Sequence, residues 1–335
     1  MLQIVLRPLS WLYAATMWVR NRLYDEHVLH SHSVAVPTIC VGNLAVGGTG
    51  KTPHVEYLIR LLSKDYHVAV LSRGYGRKTK GFHIATPTST AAEIGDEPWQ
   101  ISHKFPNVPV AVCAHRVHGI KHLLHLHPEV QVVLLDDAYQ HRSLRCGLYV
   151  LLTCYDNLYA KDAYLPVGRL RDNREQASRA NIVVVTRCPK TMMPIDKRVV
   201  DNTLRLSSWQ ELCFSRVVYP VLPKQQSALL VTAIAHPEYV ERQLKETVTD
   251  LRVMSFIDHH WFTPADMQRI EAEAAQVDCV WTTEKDEARL RMMPMSEALQ
   301  SKLRVLPIEI VIDDHDTFDR QVMMYVRENS KHSKK

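Results

Sequence analysis

Residues 42–53 read Gly-Asn-Leu-Ala-Val-Gly-Gly-Thr-Gly-Lys-Thr-Pro and stand between a β-branched run at 36–41 and a helical pattern at 53–64. Few folds accommodate that order. Backbone amides of such a loop and the N-terminus of the following helix converge on an anion, which requires a strand to end where a helix begins. In a loop of this kind Gly47, Gly48, Thr49 and Gly50 cradle phosphate oxygens, Lys51 reaches the β- and γ-phosphates of a nucleotide, and the Thr52 hydroxyl binds Mg²⁺. The usual spacing places a glycine where Ala45 stands, and the added Gly47 and Gly48 keep the loop pliable.

Further apolar runs at 67–71, 109–113, 131–136, 148–152 and 182–186 alternate with helical patterns such as 97–104. Continuous apolar strands separated by helices predict a parallel sheet covered on both faces. The run at 131–136 closes on Asp136, with Asp137 next, which is the pattern of a strand that delivers a carboxylate to Mg²⁺. Over 204–224 the pattern loosens and reads as a linker. Strand candidates resume at 228–233, 252–256, 279–283 and 304–312. The predicted fold is therefore α/β: a P-loop NTPase-like parallel sheet over 25–203, a linker over 204–224, and a smaller α/β domain over 225–330. The 335 residues suffice for two such domains.

Residues 1–24 form a separate unit. The run between Arg7 and Arg20 holds 12 residues, fewer than the roughly 20 a membrane span needs. No small-residue cleavage site follows it. At about 100° per residue Gln3, Arg7, Ser10, Ala14 and Asn21 share a narrow stripe, while Trp11, Leu12, Met17, Trp18, Val19 and Leu23 cover most of the rest. This describes a helix lying in a membrane interface, with a helix packed on its own domain as the alternative.

The net charge of +5 is too small to indicate nucleic acid and suits anionic membranes or phosphorylated ligands. Seven cysteines with no Cys-x-x-Cys pair suggest neither a disulfide framework nor structural zinc, and point to a reduced, cytosolic setting. His115, His118, His122 and His125 share one helix face opposite Val117, Ile120 and Leu124, which reads as the wet side of an amphipathic helix. Arg73, Arg77, Lys78 and Lys80 surround Gly74 and Gly76, where they serve either phosphate or membrane contact or a solvated turn. Arg116, Arg169 and Arg171 are further candidates for phosphate contacts.

A nucleotide-binding loop alone serves a kinase, a GTPase metallochaperone or a positioning ATPase. No clean guanine-specificity motif follows. Partition-type ATPases carry a lysine before the glycine pair, where this chain has Val46, yet they remain the alternative because they too join such a loop to a membrane helix.

Beyond the loop, the chain carries LSRGYGR at 71–77, GDEP at 95–98, LLDDAYQHRSL at 134–144, LPVGRLRD at 165–172, NIVVVTRCP at 181–189, FIDHHWF at 256–262 and TTEKDEARL at 282–290. With these blocks and the N-terminal helix it resembles the tetraacyldisaccharide 4'-kinase family over nearly its whole length. The resemblance implies MgATP-dependent phosphorylation of the 4'-hydroxyl of a tetraacyldisaccharide 1-phosphate, a lipid A precursor, to give lipid IVA at the cytoplasmic face of the inner membrane. It also implies two α/β/α domains joined by a β linker, with the active site in the cleft between them. Lys51 and Thr52 then belong to the phosphate loop, Asp96 and His259 deprotonate the acceptor together, and Asp136, Asp137 and His141 handle metal and phosphate. The family's active-site Glu corresponds to Asp172, which keeps the charge on a shorter side chain.

Overall fold

The computed structural model describes residues 2–330. Its larger body is a nine-stranded sheet built from β1 (Thr38–Asn43), β2 (Val68–Ser72), β3 (His83–Ile84), β4 (Val110–Val112), β5 (Val132–Asp136), β6 (Leu148–Cys154), β7 (Ile182–Thr186), β8 (Glu211–Val218) and β13 (Glu309–Ile312), in the order β13-β8-β7-β6-β1-β5-β2-β4-β3. The interior pairings are parallel, and only β3 and β13 run antiparallel to their neighbours. The smaller body is a four-stranded parallel sheet of β9 (Gln225–Thr232), β10 (Val248–Ser255), β11 (Cys279–Thr283) and β12 (Leu303–Leu306), ordered β10-β9-β11-β12.

Helices cover both faces of the large sheet. They are α1 (Leu2–Asp25), α2 (Lys51–Leu62), α3 (Ala91–Ile94), α4 (Asp96–Lys104), α5 (Arg116–Leu126) and α6 (Pro194–Leu204). The small body adds α7 (Pro237–Lys245), α8 (Pro264–Ala274), α9 (Glu284–Leu290) and α10 (Glu297–Lys302), and α11 (His315–Ser330) ends the described chain. Alternation along the central strands divides the core as a doubly covered sheet requires. Ile39, Val41, Val132 and Leu134 pack with α2, while Cys40, Val133 and Leu135 pack with Ile120 and Leu123 of α5.

Two of the expected boundaries differ from the structure. The middle of the expected linker at 204–224 is β8, whose Cys213, Phe214 and Ser215 are buried between β7 and β13. The expected strand at 304–312 is two strands in different sheets. Pro307, which has no amide to donate, lies at the break. The smaller body therefore ends at Leu306. β13 returns to the large sheet, and Phe318, Val322 and Val326 of α11 join the α2 side of its core.

The amphipathic sense of α1 is reversed relative to a core helix. Ser10 and Asn21 are buried, while Trp11, Leu12, Trp18, Val19 and Leu23 are exposed within an arc of about 140°. Polar bonds hold the inward stripe: Ser10 Oγ donates to the Tyr164 carbonyl at 3.0 Å, Tyr13 to that of Arg171 at 3.0 Å, and Asn21 Nδ2 to Asp172 Oδ1 at 2.7 Å.

Candidate active site

Parallel pairing of β1 with β5 sets Val41 opposite Asp136, so the loop after β1 and the carboxylate ending β5 emerge at one sheet edge. Gly50 begins α2 in the left-handed region (φ 82°), a conformation that strains any residue with a Cβ. Within the loop, Asn43 Nδ2 donates to Thr49 Oγ1 at 2.8 Å. Buried His54 joins the Gly50 carbonyl (2.7 Å) to Ser215 of β8 (3.0 Å), and burial pulls its pKa down to about 4, so it is a neutral strut. Thr52 sits half-buried in the first turn of α2.

Lys51 Nζ lies 3.8 Å from Asp137 Oδ2, and Arg171 pairs with the same carboxylate while donating to Asn43 Oδ1 at 2.6 Å. Burial would raise the Asp137 pKa, but Lys51 and Arg171 outweigh it and hold the group below its ordinary range. Asp136 is the opposite case. It is 3% exposed, and its Oδ1 has no hydrogen-bond partner among the described residues. Burial first, then the nearby Glu97 and Asp137 carboxylates, raise it to about 7.

The opposite wall comes from both bodies. Asp96 opens α4 behind Gly95, whose φ of 95° excludes a side chain and which packs on the Gly74–Tyr75 turn. From the small body, His259 approaches with Nδ1 3.1 Å from Asp96 Oδ2, and Arg289 lies 3.6 Å from the same oxygen. Lys285 Nζ stands 3.1 Å from His259 Nε2 and 3.0 Å from Glu97 Oε1. An ammonium only donates, so Nε2 accepts and the ring proton sits on Nδ1, donated to Asp96. The Tyr75 ring meets His259 edge-on at 5.6 Å. Asp137 (φ 52°) and His259 (φ 61°) are both non-glycine residues in the left-handed region, a strain of about 1 kcal/mol or more each that clusters at functional sites.

The structure thus groups Lys51, Asp136, Asp137 and Arg171 at the loop, and Asp96 with His259 across from them. Arg116, whose charge acts on both Asp136 and Asp137, lines a cavity together with His141. Burial first, then Arg116, Arg20 and Arg73, pulls the His141 pKa down to about 4. Asp172 is not brought to the loop: it is fully buried, and its Oδ1 is taken by Asn21 of α1 and by the Asn173 amide. Arg77 turns back to the Gly81 carbonyl, and Lys78 lies over the Trp261 ring. Lys285, Arg289, Glu97 and Asn43 had no role read from sequence. All four lie inside motif blocks, but for the first three only the meeting of two bodies supplies a role.

A family model described as tetraacyldisaccharide-1-P 4'-kinase matches residues 2–327. The tetraacyldisaccharide 4'-kinase of Bacteroides thetaiotaomicron is 45% identical over 98% of this chain and 94% of its own length. That of Flavobacterium johnsoniae is 44% identical over 98% of each. A crystal structure of LpxK from Aquifex aeolicus in complex with ATP superposes with a TM-score of 0.76 at 27% identity, covering 97% of this chain and all of that one.

Proposed function

The chain belongs to the tetraacyldisaccharide-1-P 4'-kinase family, and we propose on that basis that its cleft transfers the γ-phosphoryl group of MgATP to the 4'-hydroxyl of tetraacyldisaccharide 1-phosphate. The observation that carries the reading is the Asp96–His259 contact, a proton acceptor assembled from two bodies beside a phosphate loop.

The residues at the sheet edge suit Mg²⁺. A hard cation takes carboxylate and hydroxyl oxygens, and the unpartnered Asp136 Oδ1 is a buried acceptor in need of one. Asp136 and Thr52 would hold the ion, which neutralises charge on the β- and γ-phosphates when bound. Lys51 and Arg171 supply fixed positive charge to the transferring group. Asp96 Oδ2 is held by His259 Nδ1–H and Arg289, which leaves Oδ1 to accept the proton of the 4'-hydroxyl. The sugar oxygen then takes the phosphoryl group and ADP departs. Because the acceptor's base draws on both bodies, the cleft is competent only when closed, which limits transfer to water. Lys104 supports that closure by joining Glu56 of α2 (2.8 Å) to Glu284 of α9 (2.5 Å).

The outward apolar face of α1 supports a position on the cytoplasmic face of the inner membrane, where the acyl chains of the acceptor stay in lipid. No helix among the described residues is long and apolar enough to cross a membrane. The test is transfer of label from γ-labelled ATP to the acylated disaccharide 1-phosphate in detergent with Mg²⁺. Label at the 4' position supports the kinase. ATP turnover stimulated by liposomes without labelled lipid would refute it and favour a positioning ATPase.

A further inference from the structure

The small body presents His259, Lys285 and Arg289 as one preformed group. Asp286 is fully buried and accepts from Thr232 Oγ1 (3.2 Å), the Ala233 amide (3.0 Å) and Thr283 Oγ1 (2.8 Å), which fixes α9 against the end of β9. Lys285 and Arg289, four residues apart on α9, share one helix face and meet α4. The His259 amide donates to the Ala233 carbonyl at 3.1 Å, and Arg289 Nη2 donates to the same oxygen at 3.3 Å. One carbonyl thus holds both the imidazole and the helix that carries the ammonium. The large body answers with consecutive carboxylates: Asp96 takes His259 and Arg289, and Glu97 takes Lys285 at 3.0 Å.

Lys285 Nζ stands 3.1 Å from His259 Nε2, the ring nitrogen that does not face Asp96. A histidine beside a carboxylate has an alternative to the neutral ring. The His259 side chain is 32% exposed, so Nε2 could take a proton from water, and the imidazolium would pair with Asp96 as a second cation beside Arg289. A carboxylate paired in that way is a weaker base. The charged groups around the ring are Asp96 and Glu97 from α4, Lys285 and Arg289 from α9, and Asp258 of its own loop, with the Tyr75 ring edge-on. Among the described residues Lys285 alone is bonded to Nε2. Burial would pull the Lys285 pKa down, but Glu97 first, then Asp258 and Asp96, outweigh it and leave it raised, so the ammonium stays charged at neutral pH. That ammonium donates to the Nε2 lone pair and opposes a second ring proton.

We propose that Lys285, held by Glu97, is a positioning residue for the transfer: it keeps His259 neutral with its proton on Nδ1, so that Asp96 meets the 4'-hydroxyl with one cationic neighbour instead of two. The proposal rests on the kinase reading and adds how the base of that reaction is kept competent. Lys285 itself exchanges no proton. The hydroxyl proton passes to Asp96, His259 keeps the proton on Nδ1, and the ammonium keeps its own. Lys285 and His259 belong to the small body, Glu97 and Asp96 to the large one. The ammonium is therefore gripped from both sides only in the closed cleft, and the same approach that brings His259 to Asp96 brings Lys285 to Glu97.

The test compares the unaltered full chain with Lys285→Met, His259→Ala and the double variant, each assayed in detergent with MgATP and the acylated disaccharide 1-phosphate. Lys285→Met is expected to lose about 10- to 100-fold in kcat, the worth of a charge-assisted hydrogen bond, with KM for ATP and for the acceptor unchanged. Placed on His259→Ala, the same change should cost less than about threefold more, because residues that act as one unit are not additive. The acid limb of kcat should move up by about one pH unit in Lys285→Met. Spectra of ¹⁵N-histidine-labelled protein at neutral pH read the ring directly, the His259 signal being assigned by its absence from His259→Ala. Nε2 should be unprotonated in the unaltered chain and protonated in Lys285→Met. An undiminished loss on His259→Ala, or a raised KM for either substrate, would overturn the proposal by giving Lys285 a role independent of the ring. An unchanged Nε2 in Lys285→Met would overturn it as well. Should the uncompensated Glu97 prevent Lys285→Met from folding, Lys285→Met/Glu97→Gln removes both charges and gives the same ring readout. If the unaltered chain hydrolyses ATP and labels no lipid, the kinase reading itself fails and takes this proposal with it; intact transfer with a failed ring readout rejects Lys285 alone.

Discussion

Replacing Asp136 by Asn should stabilise the metal-free protein while disabling it. The carboxylate is 3% exposed and is raised from its ordinary 3.8 to about 7, by burial first and then by Glu97 and Asp137. Because the folded-state pKa is the higher one, the folded chain carries no penalty from this group at pH values below the ordinary pKa. The penalty grows as pH rises and is complete above about 7. Three units at about 1.4 kcal/mol each give a ceiling of roughly 4 kcal/mol. Asn keeps the shape and never ionises. In EDTA, the stability of Asp136→Asn relative to the unaltered protein should therefore improve by about 2 kcal/mol between pH 5.5 and pH 8. Denaturant titrations of both proteins at the two pH values measure this. Added Mg²⁺ should recover stability in the unaltered protein and not in the variant, and transfer should fall by about 10²–10³ in the variant. Parallel stability curves across this pH range, or equal stabilisation of both proteins by Mg²⁺, would refute the reasoning that Asp136 is a buried charge awaiting a cation.

Asp96→Asn and His259→Ala should each lower turnover by about 10²–10⁴, and the double variant should be little worse than the poorer single; multiplicative losses would separate the two residues. Trp11→Ser/Trp18→Ser, at side chains 70% and 57% exposed, should leave unfolding within about 0.5 kcal/mol of the unaltered protein yet weaken vesicle binding by about tenfold or more in a sedimentation assay; unchanged partitioning would exclude α1 as the docking face. Lys104→Met leaves buried Glu56 facing Glu284 and should cost about 3 kcal/mol in denaturant titrations at neutral pH. Burial, then the Lys104 bond and the Glu56 charge, leave the Glu284 pKa raised on balance, so that cost should shrink as pH falls and the carboxylate protonates; a pH-independent loss would argue for packing alone.

The loop, Lys51, Thr52 and Asp136 were legible because their chemistry is local: a glycine run, a helix start and an apolar strand ending in a carboxylate are contiguous in sequence. The parallel sheet was legible for the same reason, since strands buried on both faces read as unbroken apolar runs. The stripe on α1 was equally visible, but only its hydrogen bonds to Tyr164, Arg171 and Asp172 show that the polar side faces inward and the tryptophans outward. The same contact settled Asp172. The family resemblance placed an active-site carboxylate at Asp172, yet its Oδ1 is taken by Asn21 of α1, while the neighbouring Arg171 turns to Asn43 at the loop.

What sequence could not contain was pairing at long range. β8 is a strand between β7 and β13, the latter almost a hundred residues later, and neither β8 nor β13 carries a local mark of the other. Lys285 and Arg289 are ordinary helix residues until the small body sets them against Glu97 and Asp96. Local spacing determines which strand or helix a segment favours and which backbone groups it offers to an anion. Tertiary packing alone determines which charges are stripped of water together, as it does at Asp136, at Asp96–His259 and at Arg116.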